Sequence, residues 1–212
     1  VAAGAIAVKM LSSLGISFLT YTKSIGCIEI APENFKVDEI DNNPLYMPDA
    51  AAAKKAGIYL EECIKNQNSS GGVCECIITG LPVGLGDPVF EKIDANLAKA
   101  IMSIGAVKGF EIGDGFEAAK STGLTNNDAF IIKDGVIKKT TNHSGGTLGG
   151  MTDGSPLILK AAIKPTPSIA STQHTVNKSG ENIDISIKGR HDPIIVPRAV
   201  VVVESMAAIT IA

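Results

Sequence analysis

Tryptophan is absent from the 212 residues, and aromatic side chains make up only 4% of them. That leaves little material for stacking platforms and argues against binding of single-stranded nucleic acid. Neither sign of charge is in excess, since 19 Lys and Arg face 22 Asp and Glu for a formal net charge of −3. So balanced a chain lacks the broad basic footprint of a general nucleic-acid binder. No apolar run approaches the roughly 18 residues that would span a bilayer. No basic region leading into a cleavage site marks a secretory leader. The four cysteines, Cys27, Cys63, Cys74 and Cys76, contain no C-x-x-C pair and no tight framework, so the chain reads as a cytoplasmic protein with reduced thiols. His143, His174 and His191 have no i, i+4 spacing and no neighbouring cysteine, so no metal site is expected.

What is present is a globular composition, 45% apolar and 19% charged, enough to bury a sizeable core. The length fits one large domain or two small ones, and residues 1–212 are read as a single domain. Both ends resemble helix interiors. The opening Val1-Ala2-Ala3-Gly4-Ala5-Ile6-Ala7 has no capping residue before it, and the last residues show no stop signal. The fold is therefore expected to be truncated at both ends.

Between the ends, strand and helix signals alternate irregularly. Asp49 is placed to cap a helix over residues 50–65, with Ala53, Ile58, Leu60 and Ile64 as its buried positions. Asp87-Pro88 reads as an N-cap followed by proline at the first helical position. Phe90, Ile93, Leu97, Ile101 and Ile104 then supply one apolar face. Strands are expected over residues 16–22, 73–79, 106–112 and 157–163, and a half-buried one at Ile183, Ile185 and Ile187. A hairpin is expected around Asp134-Gly135. Strands occurring both as neighbours and between helices favour an α+β fold.

Four segments could carry chemistry. Gly113-Asp114-Gly115-Phe116-Glu117-Ala118 follows a strand and matches the glycine fingerprint of dinucleotide-binding proteins, with Asp134 about twenty residues on. It supports an alternative reading, a nicotinamide-dependent oxidoreductase, although a glycine-rich connection explains it as well. Asn142-His143-Ser144-Gly145-Gly146-Thr147-Leu148-Gly149-Gly150 would let backbone N–H groups approach a ligand or would form a surface loop. Lys164-Pro165-Thr166-Pro167-Ser168 follows an apolar strand and offers a cation and hydroxyls on a stiff backbone, suited to an anion or to a rigid turn. Gly189-Arg190-His191-Asp192-Pro193 sets a guanidinium, an imidazole and a carboxylate side by side. Such a cluster is costly to bury unless it is paired or bound.

These segments also stand in a telling order. Pro82-Val83-Gly84-Leu85-Gly86-Asp87-Pro88-Val89-Phe90 comes first, then Ala106-Val107-Lys108-Gly109-Phe110-Glu111-Ile112-Gly113 and Thr141-Asn142-His143-Ser144-Gly145-Gly146. Residues 164–168 follow, and Gly189-Arg190-His191-Asp192-Pro193 with Pro197-Arg198-Ala199-Val200 closes the series. Together they closely resemble the chorismate synthase family over the whole chain. The resemblance implies helices packed between antiparallel β-sheets, a homotetramer, and no nucleic-acid or membrane partner. It implies anti-1,4-elimination of phosphate from 5-enolpyruvylshikimate 3-phosphate, giving chorismate for aromatic amino acid biosynthesis, with reduced FMN as cofactor. It places flavin contacts at Gly105, Ala106, Gly149, Lys164, Pro165, Thr166, Pro167, Ser168 and Arg190, and the catalytic carboxylate, which manages the proton at flavin N5, at Asp192. Substrate and cofactor are anionic, so a chain of net charge −3 must concentrate its cations locally. Two positions depart from the family's usual residues: Gly105 stands where many members have Asn, and Ile194 where many have Cys. The family's Gly-Glu-Ser-His-Gly motif does not occur in these 212 residues, so the chain alone is expected to be inactive.

Overall fold

Asp49 behaves as its place before an alanine run predicts. In a computed structural model, which describes residues 1–189 and 192–212, its Oδ1 accepts from the N–H groups of Ala51 (2.9 Å) and Ala52 (3.0 Å). Its Oδ2 accepts from the Ala31 N–H at 3.1 Å and the Asn34 amide at 3.4 Å. Burial alone would raise its pKa. The four donated bonds outweigh that and hold the carboxyl below the usual range. A cap of this kind contributes about 1 kcal/mol.

In chain order the elements are α1 (Ala2–Ser12), β1 (Ser17–Ile25), β2 (Ile28–Glu29), α2 (Ala50–Lys65), β3 (Gly72–Thr79), α3 (Ile93–Met102), β4 (Val107–Ile112), α4 (Gly123–Asn126), β5 (Phe130–Lys133), β6 (Val136–Lys139), β7 (Thr147–Leu148), β8 (Met151–Thr152), β9 (Leu157–Ile163), β10 (Gln173–Val176), β11 (Asn182–Ile185) and α5 (Val196–Ile211). Among the described residues five strands form one sheet in the order β2-β1-β3-β9-β4, and three two-stranded sheets accompany it. Ser24 pairs with Glu29 across β1 and β2, which run antiparallel. The Gly113 N–H donates to the Ile158 carbonyl at 2.9 Å while Gly109 faces Ala162, so β4 and β9 are antiparallel too. The fold is α+β. Among the described residues no helix is long and apolar enough to cross a membrane.

The chain divides into two compact units. Val1–Thr20, Cys74–Ala162 and Val200–Ala212 form the first, and Tyr21–Val73 with Ile163–Ala199 the second. In the first, Leu157, Leu159 and Ala161 alternate with more open neighbours along β9, as a strand with one buried face must. Ile93, Leu97 and Ile101 bury the matching stripe of α3. Each of these buried Leu and Ile side chains stabilises the fold by roughly 1.5–3 kcal/mol. A Cβ at Gly4 in α1 would collide with buried Ser205 in α5, so only glycine permits that close approach. Burial pushes the Cys74 and Cys76 thiols up to about 12, which makes them core residues rather than nucleophiles. In the second unit, Ile25, Met47, Leu60, Ile163 and Val196 are buried, and Tyr21 meets Phe35 edge to face with centroids 5.2 Å apart.

Local signals held for α2, β9 and the β5–β6 hairpin, whose turn is Asp134-Gly135. They failed at α3. The helix begins at Ile93 rather than at Pro88, because residues 87–91 close a small loop in which the Asp87 N–H donates to the Glu91 carbonyl. Phe90 consequently lies outside the helix and is exposed. The Ile93 N–H donates to the Gly150 carbonyl at 2.9 Å. A tertiary bond, invisible to local pattern, sets the start of this helix. Ile58 and Ile64, expected to be buried on α2, are exposed, while Ala53 and Leu60 are buried. β11 is exposed at every residue rather than half-buried.

Candidate functional site

The end of β9 in the second unit brings most of the anticipated groups together. Lys164 and Pro165 follow the strand directly and are exposed. Thr166 comes next, and among the described residues its hydroxyl oxygen, like those of Thr20 and Thr22, is buried without a hydrogen-bond partner. Leaving a buried hydroxyl unpaired costs about 1–3 kcal/mol, so an incoming polar ligand atom has something to gain there. The Thr166 carbonyl accepts from the hydroxyl of buried Ser69 at 2.7 Å. The next residue, buried Ser70, donates its N–H to the Pro193 carbonyl, also at 2.7 Å. Two adjacent serines therefore tie residues 164–168 to the backbone beside Asp192.

Gly71 completes this frame. A Cβ there would strike the Ile163 carbonyl and lie 3.1 Å from Pro165 Cδ, so the backbones approach as closely as they do only because the residue is glycine. Asp192 itself is paired: Arg198 donates to its two carboxylate oxygens at 2.8 and 3.0 Å. Nothing in the sequence had singled out Ser69 or Ser70, since Asn66 to Gly72 reads as a polar turn. The available signal was two serines before two glycines at the start of an apolar strand. Arg190, named as a flavin contact, and its neighbour His191 lie outside the described residues.

Gly105, Ala106 and Gly149 belong to the first unit. Gly149 and Gly150 form the two-residue turn between β7 and β8, both with positive φ (62° and 88°), the conformation such a hairpin demands. Gly149 faces open space, whereas Gly150 accepts the bond that starts α3. Gly105 and Ala106 follow the other end of that ten-residue helix. At 1.5 Å per residue, about 15 Å of helix lies between them and the end of α3 that Gly150 meets. Ala106, not Gly105, carries the positive φ (70°). A Cβ at Gly105 would meet nothing within 4 Å, so the departure from Asn leaves space rather than filling it.

The Thr141 to Gly146 segment is held by a buried ionic cluster. Lys139 Nζ donates to Ser144 Oγ at 2.8 Å, to Asp128 at 3.4 Å and to Asp153; all three charged side chains are at most 7% exposed. Burial by itself would raise the Asp128 pKa. Donation from the Ser144 N–H and hydroxyl, the Thr141 hydroxyl and the His143 N–H outweighs it and holds the carboxyl far below the usual range. Burial would likewise raise Asp153, and Lys139 with the Ser155 N–H brings it down. His143 Nδ1 lies 2.7 Å from Asp114 Oδ2.

The dinucleotide reading of residues 113–118 loses its structural basis here. Gly113 sits against the His143 carbonyl and Gly145, where a side chain would collide with backbone. The following turn is the 3-10 segment Gly115–Lys120, not an α-helix. The strand before it pairs antiparallel with β9, so no parallel crossover presents a phosphate-binding helix terminus. Asp134 occupies the exposed tip of the β5–β6 hairpin. Among the described residues no group of three or more His, Cys, Asp or Glu could hold a metal ion.

Fold and frame define an α+β protein of helices and antiparallel sheets with a polar cluster at a strand end. Its relatives agree on what kind of α+β protein that is. A family model described as chorismate synthase matches residues 1–212, and the chain belongs to the chorismate synthase family. It is 82% identical over 212 residues to the chorismate synthase of Agathobacter rectalis, covering 100% of this chain and 58% of that protein. To the chorismate synthase of Lachnoclostridium phytofermentans it is 64% identical over 213 residues, again covering 100% and 58%. A solved structure titled "Crystal Structure of Chorismate Synthase" superposes with a TM-score of 0.82 at 31% identity, over 99% of this chain and 60% of that one. The chain thus spans less than two thirds of the length of these relatives.

Proposed function

We propose that this chain forms part of an enzyme that eliminates phosphate from 5-enolpyruvylshikimate 3-phosphate to give chorismate, working as a cytoplasmic homotetramer with reduced FMN. The observation that carries the reading is the buried Thr166 hydroxyl, unpartnered among the described residues, beside Lys164 and in one frame with Asp192. An ammonium and a hydroxyl that can donate to phosphate or ring oxygens, with a carboxylate that can accept from a ring N–H, fit a flavin that bears a phosphate. Reduced FMN, when bound there, would supply electron density for the loss of the allylic phosphate with no net redox change.

The protein's own residues have simpler tasks. Lys164 and Arg190 offset anionic charge, Thr166 supplies a directed hydroxyl, and Pro165 with Pro167 keeps the strand end stiff. Gly105, Ala106, Gly149 and Ser168 complete the flavin contacts, and Asp192 accepts and returns the proton at flavin N5. The elimination balances: the C–H proton is taken up through Asp192, the C–H electron pair forms a new ring double bond as the existing one shifts, and phosphate leaves with the pair of the broken C–O bond.

The test is anaerobic phosphate release by the full-length protein with reduced FMN. One phosphate per chorismate is expected, with none before the flavin is reduced. Turnover that needs nicotinamide but no flavin would overturn the reading. Residues 1–212 alone are expected to release no phosphate and to bind FMN more weakly than micromolar, because the Gly-Glu-Ser-His-Gly motif is not among them.

A further inference from the structure

We infer that Arg198 is a positioning residue for this reaction, fixing the Asp192 carboxylate in one plane and one direction. The inference rests on the reading of Asp192 as the proton-handling group. Arg198 Nη1 donates to Asp192 Oδ2 at 2.8 Å and Nη2 donates to Oδ1 at 3.0 Å, so both oxygens engage one planar fork. A bidentate guanidinium–carboxylate pair has a defined geometry, whereas an unpaired aspartate exchanges between rotamers.

Both partners stand on fixed backbone. Arg198 lies in the first turn of α5, between buried Val196 and Val200. Asp192 precedes Pro193, whose carbonyl accepts from the buried Ser70 N–H. The same Ser69-Ser70 pair holds Thr166, so the carboxylate is referenced to the strand end proposed to hold the flavin. The fork occupies one lone pair on each oxygen and leaves another in the same plane, so Asp192 can still accept a proton in a set direction.

The exposure of the pair separates this role from a structural one. The Arg198 side chain is 70% exposed and that of Asp192 35%, and pairs this open contribute little to folding. Arg198→Ala is therefore expected to fold normally.

The experiment uses the full-length protein, reduced FMN and substrate. Arg198→Ala is expected to lower kcat on the order of 10²-fold, the cost of a small misplacement of a reacting group, with KM little changed. Arg198→Lys keeps the charge but loses the fork, and should stay close to the alanine variant. The Asp192→Asn/Arg198→Ala double variant should be no slower than Asp192→Asn alone. Independently of turnover, Arg198→Ala and Asp192→Asn should change the absorbance spectrum of bound reduced flavin in the same way, with FMN affinity retained. Full recovery by Arg198→Lys, additive losses, or a raised KM with kcat intact would overturn the inference; the last would make Arg198 a direct anion contact. An unimpaired Asp192→Asn would overturn the reading of Asp192 and this inference with it. An impaired Asp192→Asn beside an unimpaired Arg198→Ala would overturn the inference alone.

Discussion

Asp192→Asn in the full-length protein is expected to reduce kcat by about 10²–10⁴-fold, the range over which a positioned acid–base group accelerates proton transfer. Flavin affinity should stay within a few-fold of the parent, because the groups proposed to hold the flavin at the strand end, the Lys164 ammonium and the Thr166 hydroxyl, are untouched by the change. Asparagine is nearly isosteric and can still accept one bond from Arg198, so the loss reports proton handling more than local collapse. Asp192→Ala should be at least as slow. The measurement is chorismate formation followed together with flavin titration. Unchanged turnover in either variant would remove Asp192 from the mechanism.

The second large effect concerns stability. Lys139→Ala leaves Asp128 and Asp153 buried without their shared cation, a change that costs about 3–5 kcal/mol. It should appear as a lower denaturant midpoint with little change in slope. Adding Asp153→Asn should restore part of the loss, since the uncompensated charge is then removed while the four bonds to Asp128 survive. The same cluster sets an acid limit. The folded-state pKa values of Asp128 and Asp153 lie below their unfolded values, near 3.9. Their contribution is therefore complete above that pH and is lost as the pH falls toward the depressed folded values. A Lys139→Ala protein as stable as its parent would show that the cluster does not hold the Thr141 to Gly146 segment.

What was legible in the chain depended on how local its cause is. Asp49 and α2 could be read because a cap and its helix are neighbours in sequence, and β9 because its apolar run has a strand's length. The Asp134-Gly135 hairpin needed only its turn chemistry. By contrast, α3 begins where Gly150 offers a carbonyl, nearly sixty residues away, and no reading of Asp87-Pro88 could contain that. Ile58 and Ile64 mislead for a related reason, since the face a helix buries is chosen by what packs on it.

The site divides in the same way. Lys164, Thr166 and Asp192 could be chosen from their chemistry and from the family resemblance, whereas the groups that hold them could not. Ser69, Ser70 and Gly71 matter through a hydroxyl, an N–H and a missing side chain, each directed at a backbone atom more than ninety residues on. Arg198 lay in view within a recognised motif, but its use became apparent only with its two bonds to Asp192.

The most direct test is a crystal structure of the full-length protein with FMN and 5-enolpyruvylshikimate 3-phosphate bound. The expected result is a flavin polar atom within hydrogen-bond distance of Thr166 Oγ1, with the Asp192 carboxylate, still paired to Arg198, in contact with that same flavin. A flavin seated away from the end of β9, with the Thr166 hydroxyl still buried and unpartnered, would contradict the assignment.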